Sequence, residues 1–336
     1  MITTFENYLN RNAKRMNRLV FDFFEQEAVP DMMRYLYQPL ADYSMNGGKR
    51  HRPLICELAC QAVGGDAERA QSAGAAIEHF HTAALIHDDI ADESTLRRGQ
   101  PCMHLAQGEG LAINAGDLAL SQVTGLIVAD THLDDKTKLR VLDELIKMTT
   151  RTIEGQALDI GWARDGRFDL SVDDYLLMAT HKTAYYSGGT PLAVGAIVGD
   201  GTEREIEVLR SFGLATGLAF QIQDDILNLI GKKEAVKKDF RSDIVEGKRT
   251  LIAVHALRNS ARSAELTAIL AAHTTQASVL AEAVEIMREA GSFDFARDYA
   301  TRLVNDAKDE LAGALPASKP RDLLLSMADF FINRMH

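Results

Sequence analysis

Asp88 and Asp92 stand four residues apart in the run Asp88-Asp89-Ile90-Ala91-Asp92. On an α-helix that spacing brings two carboxylates within about 40° of each other around the axis and about 6 Å along it, so they share a face. Like charges so placed repel unless a cation lies between them, and oxygen donors without Cys or His at metal-binding spacing select a hard ion such as Mg²⁺. The residues leading in, Phe80, Ala83, Ala84, Leu85 and Ile86, are apolar. The acids therefore project from a buried helix, where charge needs a partner. A second run, Asp224-Asp225-Ile226-Leu227-Asn228, follows Leu218-Ala219-Phe220-Gln221-Ile222 and repeats the logic. Two such helices facing each other across a cavity would hold several Mg²⁺ ions and clamp a diphosphate. Asp134-Asp135, set among Lys136 and Lys138, reads instead as solvated surface.

The cations are clustered too. Gly47-Gly48-Lys49-Arg50-His51-Arg52-Pro53 puts Lys49, Arg50 and Arg52 on a glycine-rich turn, where backbone N–H groups and guanidinium forks approach phosphate oxygens. Arg97-Arg98-Gly99 follows the first acidic run, and Lys182-Thr183 and Lys248-Arg249-Thr250 each set a cation beside a hydroxyl. Combined with two carboxylate clusters, this suits two diphosphate substrates. Across the chain, 37 basic residues face 48 acidic ones, a net charge of −11, which excludes an extended surface for nucleic acid or anionic lipid. No Ser-His-Asp or Cys-His arrangement stands out, and Cys56, Cys60 and Cys102 have neither disulfide-framework nor zinc spacing, so they read as small buried apolar residues.

Helices must position these groups. Apolar residues recur at three and four rather than at two, and Leu139, Val141, Leu142, Leu145, Ile146 and Met148 form one such stripe. Ser171 with Asp174, and Thr202 with Glu205, are capping boxes that predict helix starts. Proline is scarce, 7 of 336 residues, and the breakers Gly47-Gly48, Gly99 with Pro101, Gly188-Gly189 with Pro191, Gly199 with Gly201, and Pro316 with Pro320 are short punctuation. The expectation is one all-α bundle spanning 1–336 without a domain boundary. No apolar stretch approaches the ~18 residues of a membrane span, and no targeting pattern opens the chain, so a cytoplasmic protein without an integral membrane segment is expected.

In order, Gly47 to Pro53, His81 with the acidic run, Arg97-Arg98-Gly-Gln-Pro, Gly155-Gln156, Lys182-Thr183, Phe220-Gln221-Ile-Gln-Asp224-Asp225 and Glu246-Gly247-Lys248-Arg249-Thr250-Leu251 closely resemble the trans-prenyltransferases, or polyprenyl diphosphate synthases. The resemblance covers nearly the whole chain. It implies an isoprenoid synthase type helical bundle around a central cavity, joining an allylic diphosphate to isopentenyl diphosphate head to tail. By the family pattern, Lys49, Arg52, His81 and Arg98 hold isopentenyl diphosphate. Arg97, Lys182, Thr183, Gln221, Lys238 and Lys248 hold the allylic diphosphate, and Asp88, Asp92 and Asp224 bind Mg²⁺, about three ions with substrate bound. Asp88, Asp92, Arg97, Lys182, Asp224 and Lys248 are the implied catalytic set. A homodimer is also implied.

Two positions depart from the pattern. Asn228 stands where many members carry a third Asp, which predicts a hydrogen-bonding support rather than a metal ligand. Arg241 and Ser242 replace glycines that often follow the position of Lys238. Product length should depend on how far a growing chain runs back along the helix that ends at Asp88. Ala84 and Ala83, where short-chain members carry bulky aromatics, leave the gate open; Phe80, Ile77 or a neighbour such as Leu118 or Gln122 would form the floor. A product of C20 or longer, geranylgeranyl diphosphate first, is expected. A class I terpene cyclase would have no use for Lys49, Arg52 and His81, and a non-catalytic regulatory subunit would be expected to lose ligands that this chain keeps.

Overall fold

The computed structural model describes residues 4–24, 27–231 and 241–333. Helix dominates, as the three-and-four spacing predicts; the β-structure among the described residues is one ladder, Leu96–Arg97 against Gln100–Pro101. Contacts group the chain into two compact units. The first comprises Met1–Thr149, Tyr186–Gly213 and Glu310–Met327, the second Thr150–Tyr185, Leu214–Asp309 and Ala328–His336.

In the first unit the helix Gln71–Ala91 is the central element. Ala73, Ala75, Ala76, Ile77, Phe80, Ala83 and Ile86 are all buried on it. Glu78, His81 and Thr82 are buried on its remaining side, so the helix is surrounded, and its alanines let neighbours approach closely. Against it pack His51–Ala62, Glu109–Ala129 and Thr190–Val198, the last buried along its whole length. Cys56, Cys60 and Cys102 are buried, as expected of small apolar residues.

Two readings of the sequence need correction here. Glu109–Ala129 is long and apolar enough, by length and composition, to cross a membrane, although no such stretch was expected. Glu109 and Asp117 interrupt its apolar run and hide this in a scan for unbroken hydrophobicity. The expected stripe near residue 140 also splits. Val141, Leu145 and Met148 are buried, whereas Leu139 and Ile146 are 68% and 57% exposed on another face of the helix Asp135–Arg164.

In the second unit, Ser171 and Asp174 form the expected capping box and start the helix Val172–Ala179. That helix runs into a π-helical segment, Thr180–Gly189, which carries Lys182 and Thr183. Such wide turns are rare and often mark functional sites. The unit's buried face is completed by Leu251–Asn259, Ser263–Ala271 and Ala277–Glu289, packed on one another. Thr250 caps the first of these, its hydroxyl accepting from Ala253 N at 3.2 Å.

Candidate active site

The glycine-rich turn of the first unit sorts its cations by direction. Arg50 takes a left-handed backbone, φ 51°, and turns into the core. There its Nη1 donates to Glu78 Oε1 at 2.8 Å and its Nε to Asn17 Oδ1 at 2.9 Å. It is a structural cation. Arg52 lies 4.8 Å from the centroid of the Tyr186 ring and donates from Nη2 to Ser187 Oγ at 2.9 Å. His81 stacks on the same tyrosine at 5.7 Å. Arg98 folds over the turn, donating from Nη1 to the carbonyls of Asn46 at 3.1 Å and Gly47 at 2.9 Å. Gly48, at φ +105°, permits this, because a Cβ there would sit 3.1 Å from Arg98 Nη2. Lys49 is exposed on the same turn.

The cations of this cluster act on one another. Burial, then Arg52, Arg98, His51 and Arg50 in that order, hold the His81 pKa well below its ordinary value. Burial and then Arg50 lower Arg98 as well. The carboxylate facing them, Glu78, is already bonded to Arg50 and lies 4.0 Å from Arg52. A neutral imidazole among guanidiniums is a site that an anion would complete.

The first acidic run falls where the sequence predicts, on the last turn of Gln71–Ala91 with Asp92 as its C-cap. Asp88 and Asp92 are half-buried, whereas Asp89 is 1% exposed. Arg97, returned by the short β-ladder, donates from Nε to Asp89 Oδ1 at 2.8 Å and lies 3.8 Å from Asp88. Tyr43 O–H donates to the other Asp89 oxygen at 2.6 Å. Burial and then Asp89 raise the Tyr43 pKa far above its usual value, so the phenol stays a donor.

The second unit assembles Lys182, Thr183 and Gln221. Lys182 Nζ lies 2.5 Å from Asp159 Oδ2, and Thr183 Oγ1 donates to Gln221 Oε1 at 2.8 Å. Gly155 makes room for this, since a Cβ there would meet Lys182 N at 2.2 Å. Gln221 Nε2 donates to Asp225 Oδ1 at 2.6 Å, and Tyr175 O–H to Asp225 Oδ2 at 2.8 Å. Burial and then Asp225 push the Tyr175 pKa well up. Asp224 is half-buried beside them, and Lys248 is paired with Glu246. The Asn228 amide donates to Ser242 Oγ at 3.2 Å and accepts from Asp243 N at 3.3 Å. It thus holds Ser242 and Asp243 through both ends of its amide, a hydrogen-bonding role. Lys238 lies outside the described residues.

Among the described residues no three His, Cys, Asp or Glu side chains gather to hold a metal by themselves. The half-buried carboxylates fit Mg²⁺ nonetheless, because this ion takes one or two carboxylates and fills its shell with water and substrate phosphate. Of the remaining residues, the sequence offered no signal for Tyr43, Tyr175, Tyr186 or Asp159. Asp89 and Asp225 were visible only as the second members of the two acidic pairs.

The family profile for polyprenyl synthetase matches residues 33–287. The chain belongs to this family. It is a prenyltransferase, and polyprenyl synthetases are magnesium-dependent in general. This polyprenyl synthetase is 38% identical over 292 residues, 86% of its length, to the short chain isoprenyl diphosphate synthase of Methanothermobacter thermautotrophicus, covering 87% of that protein. Its fold matches the crystal structure of geranylgeranyl pyrophosphate synthetase from Pyrococcus horikoshii with TM-score 0.88 and 33% identity, over 97% of both chains. It also matches geranylgeranyl pyrophosphate synthase from Corynebacterium glutamicum, complexed with isoprenyl diphosphate and magnesium, with TM-score 0.84 and 27% identity over 99% of both chains.

Proposed function

We propose that this polyprenyl synthetase condenses an allylic diphosphate with isopentenyl diphosphate and releases a product of C20 or longer, geranylgeranyl diphosphate first. The observation that carries the reading is the gathering of Arg52 and His81 on the Tyr186 ring, with Arg98 folded over the adjoining glycine-rich turn, a basic cluster suited to a diphosphate. In this reading Lys49, Arg52, His81 and Arg98 hold isopentenyl diphosphate. Arg97, Lys182, Thr183, Gln221 and Lys248, with Lys238, grip the allylic diphosphate. Asp88, Asp92 and Asp224 would bind Mg²⁺, about three ions, which supply positive charge at the departing diphosphate. Arg97, Lys182 and Lys248 add fixed positive charge there, so the allylic C–O bond ionises to a delocalised carbocation. The isopentenyl double bond attacks it, forming the new C–C bond, and the proton lost from the product goes to the released diphosphate. No protein nucleophile takes part.

The same reading has the growing chain run past Ala84, which is half-buried, towards Phe80 and Ile77. Ala83 belongs to a buried cluster with Ala112, Ala115 and Ala119 and offers less room. Residues 1–336 act as one catalytic domain, which is supported by a family match that takes in segments of both units. A homodimer is supported by Leu139, Ile146, Ile153 and Ile160, exposed at intervals of seven along Asp135–Arg164, the repeat that helix-to-helix seams use. Free buried cysteines fit a reducing, cytoplasmic setting. Incubating the purified protein with Mg²⁺, isopentenyl diphosphate and each of the C5, C10 and C15 allylic primers, then weighing the products, tests the assignment. Products no longer than C15, or no condensation at all, would reject it.

A further inference from the structure

The function above leaves two carboxylates without a task, Asp89 and Asp225, although they are only 1% and 6% exposed. A carboxylate removed from water persists where its oxygens are filled by donors, and the identity of those donors is informative. In both cases one oxygen accepts from a tyrosine hydroxyl, Tyr43 at 2.6 Å for Asp89 and Tyr175 at 2.8 Å for Asp225. The other oxygen accepts from a side chain assigned to the allylic diphosphate, Arg97 Nε at 2.8 Å and Gln221 Nε2 at 2.6 Å. Arg97 adds a second donor, Nη2, to the same Asp89 oxygen. The arrangement continues one residue further in the second unit, where the far end of the Gln221 amide accepts from the Thr183 hydroxyl at 2.8 Å.

The tyrosines come from unrelated places, one just before the glycine-rich turn and one on Val172–Ala179. Their partners occupy the same position in the two acidic runs. The twofold appearance of tyrosine, second aspartate and diphosphate ligand is hard to attribute to core packing alone. Packing would not require the ligand-facing oxygen to be used in the same way in both units.

We propose that Asp89 with Tyr43, and Asp225 with Tyr175, are positioning residues that fix Arg97 and Gln221 in the orientation in which they meet the allylic diphosphate. The proposal rests on the reading of Arg97 and Gln221 as allylic ligands. The carboxylate holds one edge of the Arg97 guanidinium or one N–H of the Gln221 amide, whose oxygen Thr183 fills, and leaves the remaining N–H groups to the substrate; the phenol stops the carboxylate from turning away. Loosening the phenol therefore weakens capture of one substrate only.

Steady-state kinetics of the full chain, with whichever of the C5, C10 and C15 primers turns over fastest, tests this through two double-mutant cycles. Tyr43→Phe and Tyr175→Phe should each raise the allylic KM about 3- to 10-fold, the loss of one hydrogen bond, and leave the isopentenyl KM within about twofold. In the Arg97→Ala background Tyr43→Phe should cause no further rise, and likewise Tyr175→Phe in the Gln221→Ala background. An undiminished rise in those backgrounds, or an equal rise in both KM values, would mean the tyrosines serve the fold and would overturn the proposal. If Arg97→Ala and Gln221→Ala themselves leave the allylic KM unchanged, the ligand assignment is wrong, and the single variants reveal this before any tyrosine is altered. Since the two cycles lie in different units, a variant that fails to fold in one leaves the other to decide.

Discussion

Arg50 Nη1 donates to Glu78 Oε1 at 2.8 Å, with the two side chains only 1% and 2% exposed. Burial alone would raise Glu78, but Arg50 and Arg52 overcome it and the net shift is downward, so the carboxylate stays charged. Two residues along the chain, Arg52 lies instead on the Tyr186 ring and donates to Ser187. The pair therefore separates a cation that holds the fold from one that the proposed function gives to isopentenyl diphosphate.

Glu78→Ala should be costly, because it leaves the Arg50 guanidinium buried without its counter-charge. A loss of about 3–5 kcal/mol in unfolding free energy is expected, read from the urea midpoint. A loss below about 1 kcal/mol would mean that water reaches the pair.

His79 should make the protein acid-labile. Neither ring nitrogen has a hydrogen-bond partner, the ring packs edge-on against Phe24 at 4.7 Å, and burial lowers its pKa from 6.5 to about 4. The unfolded chain takes up the proton near pH 6.5 and the folded chain only near pH 4, so stability falls as pH drops through that window. The full effect is about 3 kcal/mol. His79→Phe should lessen the fall in stability between those limits by about that amount, leaving the share that His81 contributes, and an undiminished fall would refute the assignment.

Chelation of divalent ions should abolish condensation, and added Mg²⁺ should restore it. Asp88→Ala and Asp224→Ala should each lower kcat/KM by at least about 100-fold at saturating Mg²⁺. Near-normal turnover in either variant would remove that carboxylate from the metal set.

Product length should respond to Ala84 and not to Ala83. Ala84→Phe, on a half-buried position, should shorten the main product by at least one isoprene unit in a mass assay of the prenyl chain. Ala83→Phe, at 0% exposure inside the cluster with Ala112 and Ala115, should instead cost about 1–3 kcal/mol of stability by overpacking. The same product distribution from Ala84→Phe and the parent would mean that the chain extends along another path.

Local features were legible in advance. Both capping boxes, Ser171 with Asp174 and Thr202 with Glu205, form as predicted because each needs only one turn of backbone. Asp88 and Asp92 also end a buried helix, for the periodicity leading to them is strong. What tertiary packing decides was not legible. Nothing in Lys49-Arg50-His51-Arg52 says which guanidinium turns inward, since that depends on Glu78, 28 residues away. Tyr43 and Tyr175 are 46 and 50 residues from the aspartates they hold, beyond any local pattern. The π-helical turn carrying Lys182 is equally hidden, because a wide turn and an α-turn share the same apolar composition.

The Gly47-Gly48 turn ends with Arg50 swallowed by the core and Arg52 laid on the Tyr186 ring. The stretch therefore works as a ruler. Adding or deleting one residue between Gly48 and Arg52 would shift both guanidiniums off their partners, taking Arg50 from Glu78 or Arg52 from the Tyr186 ring. A bend of this kind tolerates no change of length, because both of its ends are tied to buried partners.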